Sequence, residues 1–203
     1  GINAEYGDLM SKRHQIPNMI SLSRIPFLFF TTILLFGTLK YKYTYALTTL
    51  IIGSVTDFFD GWSARQFNIQ SATGALLDAL ADKILTIGVF ITFLALHIFP
   101  AMFVYPVLII LSREFLVSGL RMLAAKQQII LAAEMGGKIK TAVQMVGICM
   151  TLGGLALSEH GIPENICTFV NITGKTLFCI SSFLAITSGY SYFKKNWHVV
   201  VKG

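Results

Sequence analysis

Residues 74–99 read GALLDALADKILTIGVFITFLALHIF: acidic at the start, with Asp78 and Asp82, then free of Lys, Arg, Asp and Glu from Ile84 to Phe99. An apolar run of this kind is either a helix in a protein core or a helix in lipid, and about 20 such residues suffice to cross a bilayer. The rest of the chain decides for lipid. Of its 203 residues, 54% are hydrophobic and 13% charged, where a soluble domain carries about 25% charged residues. Ten acids and sixteen bases cannot supply the polar surface that a soluble core of this size needs. A water-soluble enzyme is therefore excluded, and a polytopic membrane protein is expected.

Working outward from that stretch, the segment before it is its mirror image, apolar from Tyr45 to Val55 and then acidic at Asp57 and Asp60. The pattern predicts spans over roughly 19–39, 43–62, 75–97, 100–125, 138–157 and 166–192, each at least the about 20 residues that a crossing needs. Pro106 is expected to kink the fourth span, Gly136 and Gly137 to form the turn before the fifth, and Pro163 to lie in the loop before the sixth. Residues 3–15 place Tyr6, Leu9 and Met10 among Glu5, Asp8, Lys12 and Arg13, which suits a short amphipathic helix on the membrane surface, broken at Pro17. The expected fold is an all-α integral membrane protein of six transmembrane helices with an N-terminal interfacial helix. It is read as one membrane domain over 1–203, with 1–17 interfacial and 18–195 the bundle. No signal peptide is expected, because residues 1–17 lack an apolar core.

The net charge of +6 would hint at nucleic acid in a soluble chain, but here the bases lie between apolar segments and report orientation. Only Lys40, Lys42 and Lys175 fall toward one side of a six-span arrangement, and the other thirteen bases toward the opposite side. Both termini are therefore expected in the cytosol. Cys149, Cys167 and Cys179 form no CxxC pair, and the four histidines show no ligand spacing, so both sets read as packing or interfacial residues.

Chemistry concentrates in four carboxylates beside the spans, where an ionised group is costly unless paired or metal-bound. Asp57 and Asp60 are spaced i, i+3, and Asp78 and Asp82 i, i+4, so each pair projects from one helix face. Two antiparallel neighbours joined by a short loop would bring all four together, and four negative charges need divalent cations. Oxygen ligands select hard ions such as Mg²⁺ or Mn²⁺. Between the pairs, Gly61 and Ala64 leave room for a ligand against the backbone, Arg65 offers a planar fork for phosphate, and Gly74 lies at the anion-friendly start of the next helix. Together these residues suit a metal-bound diphosphate.

The arrangement Asp57-x2-Asp60-Gly61-x2-Ala64-Arg65-x8-Gly74-x3-Asp78-x3-Asp82 resembles, at every fixed position, the signature of the CDP-alcohol phosphotransferases. The resemblance implies a membrane enzyme of six transmembrane helices, often a homodimer, that moves a phosphatidyl or similar group from a CDP-linked donor to an alcohol and releases CMP. It implies that Asp57, Asp60 and Asp78 ligate two divalent cations, with Asp82 both a ligand and the base. It also implies that Asp57, Gly61, Ala64, Arg65 and Gly74 line the nucleotide part of CDP-diacylglycerol.

IPNMISLSR (16–24), SREFLVSGLR (112–121) and GKIKT (137–141) are similar to segments of the bacterial branch that makes phosphatidylglycerophosphate, whose acceptor is sn-glycerol 3-phosphate. The acceptor's phosphate needs cations, and Arg113, Arg121, Lys138 and Lys140, at the cytosolic ends of the fourth and fifth spans, are the candidates. Arg113 could instead pair structurally with Glu114, and Lys138 and Lys140 could be plain positive-inside residues. A different acceptor, serine or inositol phosphate, would place the chain in another branch. A cation- or proton-coupled transporter would also use intramembrane acids, but transport does not call for Gly61, Ala64, Arg65 and Gly74 at these spacings.

Overall fold

The computed structural model describes residues 25–66, 72–129, 131 and 135–201, and of 56–66, 72–82 and 200 the backbone alone. The interfacial helix expected over 3–15 lies outside the described residues. Among these residues all regular structure is helical: α1 (Ile25–Phe36), α2 (Lys42–Gln66), α3 (Ala72–Ala95), a 3₁₀ turn (Ala101–Phe103), α4 (Val104–Lys126), α5 (Met135–Glu159), α6 (Glu164–Lys195) and α7 (Trp197–Val201). Among the described residues three stretches are long and apolar enough to cross a membrane: Ala101–Lys126, Met135–Glu159 and Glu164–Lys195. At about 1.5 Å per residue even the shortest exceeds the hydrocarbon thickness of about 30 Å. α1 and Lys83–Ala95 are shorter apolar helices over the described residues.

Three local expectations are corrected. The second helix does not stop near residue 62 but continues to Gln66, so Ala64 and Arg65 are helical rather than beyond the helix end. Pro106 is the third residue of α4, which runs unbroken to Lys126; in a first turn the missing N–H removes no essential hydrogen bond. Gly136 and Gly137 do not form a turn but lie in the first turn of α5. A β-carbon on Gly136 would stand 3.2 Å from Ser188 Cβ, and one on Gly137 2.8 Å from Arg113 Nη2. They are glycines because neighbouring side chains occupy the space, not because the backbone turns there.

The chain divides into two compact units between Thr92 and Phe93. In the first, Leu28, Leu35, Ala46, Leu50, Val89 and Phe90 are buried. Thr32 Oγ1 and Thr92 Oγ1 share a hydrogen bond of 3.3 Å that ties α1 to α3.

In the second unit α6 is the common partner, packed against α5 along its length and also against α4 and α7. The α5–α6 hairpin turns at Gly161, whose φ of +72° is the left-handed region that glycine enters without penalty. Pro163 caps α6, Glu164 lies in its first turn and Lys194 and Lys195 in its last, the charge order that the helix dipole favours. The helices approach through Gly147 and Gly174: a β-carbon on Gly147 would stand 2.9 Å from the Gly174 carbonyl oxygen, and one on Gly174 2.7 Å from the Gly147 carbonyl oxygen. Asn171 Nδ2 donates to the Thr151 carbonyl at 2.8 Å across the same seam. Small residues and interhelical hydrogen bonds are how helices associate where lipid removes the hydrophobic drive. The outward side is apolar instead of polar, with Phe169 71% and Phe183 65% exposed, which a membrane solvates and water does not.

Candidate active site

The acidic signature lies wholly on two helices. α2 carries Asp57, Asp60, Gly61, Ala64 and Arg65, and α3 carries Gly74, Asp78 and Asp82. Each aspartate pair is about one helical turn apart on an unbroken helix. Gly74 falls in the first turn of α3. The side chains of these eight residues lie outside the described set, so their convergence is not part of what the structure describes.

The four acceptor candidates are all in the second unit, and they separate. Lys140, on α5, is buried at 2% exposure. Its Nζ donates to Glu114 Oε1 of α4 at 2.6 Å, and Arg113 Nη1 donates to the same oxygen at 2.9 Å. Arg113 and Lys140 are thus joined through one carboxylate oxygen. Arg121, about 12 Å farther along α4 at 1.5 Å per residue, is exposed. Its Nε donates to Tyr192 Oη of α6 at 3.2 Å, and its guanidinium lies 5.6 Å from the centre of the Tyr192 ring. Tyr192 is itself buried among Val117, Leu120, Ala124 and Val199, which fixes the hydroxyl that holds the arginine. Lys138 is exposed; two residues from Lys140, it is turned about 200° around the helix.

Residues 14–173 match the model of the family described as CDP-alcohol phosphatidyltransferase, a range that includes all eight signature positions and all four candidate cations. The chain belongs to the CDP-alcohol phosphatidyltransferase family. Relatives include a protein of Bacillus subtilis (strain 168), 36% identical over 150 residues, covering 74% of this chain and 72% of the relative. One of Rickettsia typhi (strain ATCC VR-144 / Wilmington) is 33% identical over 179 residues, 88% of this chain and 95% of the relative. One of Rickettsia bellii (strain RML369-C) is 38% identical over 144 residues, 71% and 74% of the two chains. Each is named CDP-diacylglycerol--glycerol-3-phosphate 3-phosphatidyltransferase.

For this member of the CDP-alcohol phosphatidyltransferases, no group of three or more His, Cys, Asp or Glu among the described residues is placed to hold a metal. The family signature supplies a separate donor set, four carboxylates on α2 and α3, whose hard oxygens fit Mg²⁺ or Mn²⁺. Two residues at the cationic site lie beyond the sequence reading. Glu114 appears there only as a local partner of Arg113, whereas it also ties α4 to α5. Gln144, at 2% exposure, is one turn beyond Lys140, and its Oε1 is buried without a hydrogen-bond partner among the described residues. The i, i+4 spacing from Lys140 is the signal that could have found Gln144. Nothing in the sequence points to Tyr192 as the partner of Arg121.

Proposed function

We propose that the chain transfers the phosphatidyl group from CDP-diacylglycerol to sn-glycerol 3-phosphate, giving phosphatidylglycerophosphate and CMP. The observation that carries this is the eight-position signature on α2 and α3 in a chain whose relatives at 33–38% identity are all named for that one reaction. The setting is a bacterial cytoplasmic membrane, with six spans in one membrane domain and with both termini and the site on the cytosolic side. A homodimer is the proposed assembly. This placement leaves the donor's acyl chains in lipid while its nucleotide and the acceptor arrive from water.

Asp57, Asp60, Asp78 and Asp82 would hold two divalent cations, Mg²⁺ or Mn²⁺, which when bound offset negative charge on the diphosphate and the departing CMP. Asp57, Gly61, Ala64, Arg65 and Gly74 would line the nucleotide part of the donor, the small residues leaving room for it and Arg65 offering a fork for its phosphate. Asp82 accepts the proton of the acceptor's primary hydroxyl. That oxygen attacks the phosphorus bearing diacylglycerol, the new O–P bond forms, and the bond to the CMP oxygen breaks in line with it. Arg113 and Lys140, joined through Glu114, bind the acceptor's phosphate, and Arg121 and Lys138 add positive charge at longer range. Two cations held side by side on Glu114 suit an acceptor that carries a phosphate; an uncharged alcohol has less use for them.

Purified protein given CDP-diacylglycerol and a panel of acceptors tests the assignment. CMP release is expected only with glycerol 3-phosphate and only with a divalent cation present. Turnover with serine or inositol phosphate and none with glycerol 3-phosphate moves the chain to another branch. Metal or proton flux in sealed vesicles without any CMP release makes it a transporter.

A further inference from the structure

Three helices converge on one arginine. Along its stem, Arg113 of α4 passes Gly189 of α6, where a β-carbon would stand 3.0 Å from Arg113 Cγ. At its tip it meets Gly137 of α5, where a β-carbon would stand 2.8 Å from Nη2. The slot exists because both positions lack side chains. Within it Nη1 is bound to Glu114 Oε1, the oxygen that also takes Lys140 Nζ. Arg113 Nε remains buried without a hydrogen-bond partner among the described residues, a donor whose desolvation goes uncompensated until an acceptor atom arrives.

We propose that Glu114 is a positioning residue for the acceptor's phosphate: it holds Arg113 and Lys140 together as one anion site, in a slot bounded by Gly137 and Gly189. The proposal rests on the assignment of Arg113 and Lys140 to the acceptor. Two cations sharing one oxygen can be no farther apart than the sum of their distances to it, and at that range, away from water, their mutual repulsion is large. Glu114 offsets that repulsion and fixes both donors, while Arg113 Nε, unpartnered among the described residues, is the donor left for an incoming phosphate.

Steady-state kinetics of the full chain in lipid nanodiscs test this with the two substrates varied separately. Glu114→Gln is expected to raise KM for glycerol 3-phosphate about tenfold or more, the loss of a charge-assisted contact, while kcat and KM for CDP-diacylglycerol stay unchanged. If Glu114 merely offsets charge, the same substitution leaves the site more cationic and KM for glycerol 3-phosphate falls, which overturns the proposal. A parallel loss in kcat or in donor KM overturns it as well. Gly189→Ala changes no charge but crowds the Arg113 stem, and the same selective rise in KM is expected. If neither variant can be obtained folded, the carboxylate is a stability element and the proposal fails. Arg113→Ala and Lys140→Ala separate the two levels. Should both leave KM for glycerol 3-phosphate unchanged, the acceptor assignment itself falls. If both raise it while Glu114→Gln and Gly189→Ala do not, only the positioning role does.

Discussion

Lys138 and Lys140 are two letters apart in the sequence, and the helix puts them in opposite surroundings. Lys140 is buried and bound to Glu114, while Lys138 is exposed. A buried charge acts at short range with little screening, whereas an exposed one is weakened by salt over a Debye length of about 8 Å at physiological ionic strength. Lys140→Ala should therefore raise KM for glycerol 3-phosphate at any salt concentration, and Glu114 is spared isolation because Arg113 still pairs with it. Lys138→Ala should have a smaller effect that disappears when activity is measured in high salt. Equal effects with equal salt dependence would contradict the division. On α3, Asp82→Asn keeps the shape of the side chain and removes the base. It should lower kcat by about 10²- to 10⁴-fold, the usual weight of general base catalysis, with binding of CDP-diacylglycerol largely retained in a direct binding assay.

At the scale of elements, the α5–α6 seam depends on glycines that cannot be enlarged. On Gly174 a β-carbon would meet Thr151 Oγ1 and the Gly147 carbonyl oxygen, each at 2.7 Å, and the Thr151 backbone nitrogen. Backbone atoms in a helix cannot move aside, so Gly174→Ala should destabilise the protein by about 1–3 kcal/mol, the usual cost of overpacking. Gly153, on α5 with nothing within 4 Å of a β-carbon, is the control: Gly153→Ala should be neutral or stabilising by up to about 1 kcal/mol. Thermal unfolding in detergent checks both. The same seam shows what a sequence conceals. Helix positions were legible because apolar runs are local, and the ends of α4, α5 and α6 fall within a few residues of the expected ones. The four-residue extension of α2 was not, because Ser63, Ala64, Arg65 and Gln66 break the apolar run while remaining good helix residues. Gly136 and Gly137 read as a turn because their reason for being glycine lies on α4 and α6. The acidic signature was legible because its spacing is confined to two adjacent segments. Glu114 with Lys140, and Arg121 with Tyr192, are pairs that tertiary packing makes between distant residues, and no local spacing announces them.

For the whole molecule, function and topology make separate demands. Four carboxylates on α2 and α3 need counter-charge, so a chelator should abolish CMP release and added Mg²⁺ or Mn²⁺ should restore it. Asp57→Ala should raise the metal concentration needed for half-maximal rate. Retention of full activity in excess chelator would remove the metal from the proposed chemistry. The second demand is parity. Three stretches are long and apolar enough to cross a bilayer among the described residues, and six spans are proposed for the chain. An even count puts both ends on one side of the membrane, and an odd count puts them on opposite sides. With six spans, the thirteen-to-three distribution of Lys and Arg predicts the cytosol for both. Single cysteines placed at residue 1 and at residue 203, with Cys149, Cys167 and Cys179 replaced, can be labelled with a membrane-impermeant maleimide in sealed vesicles of known orientation. Both should react in inside-out vesicles and neither in right-side-out ones until detergent is added. Labelling of one end in each orientation would mean an odd number of crossings. The six-span arrangement, and with it the cytosolic placement of both ends, would then fall.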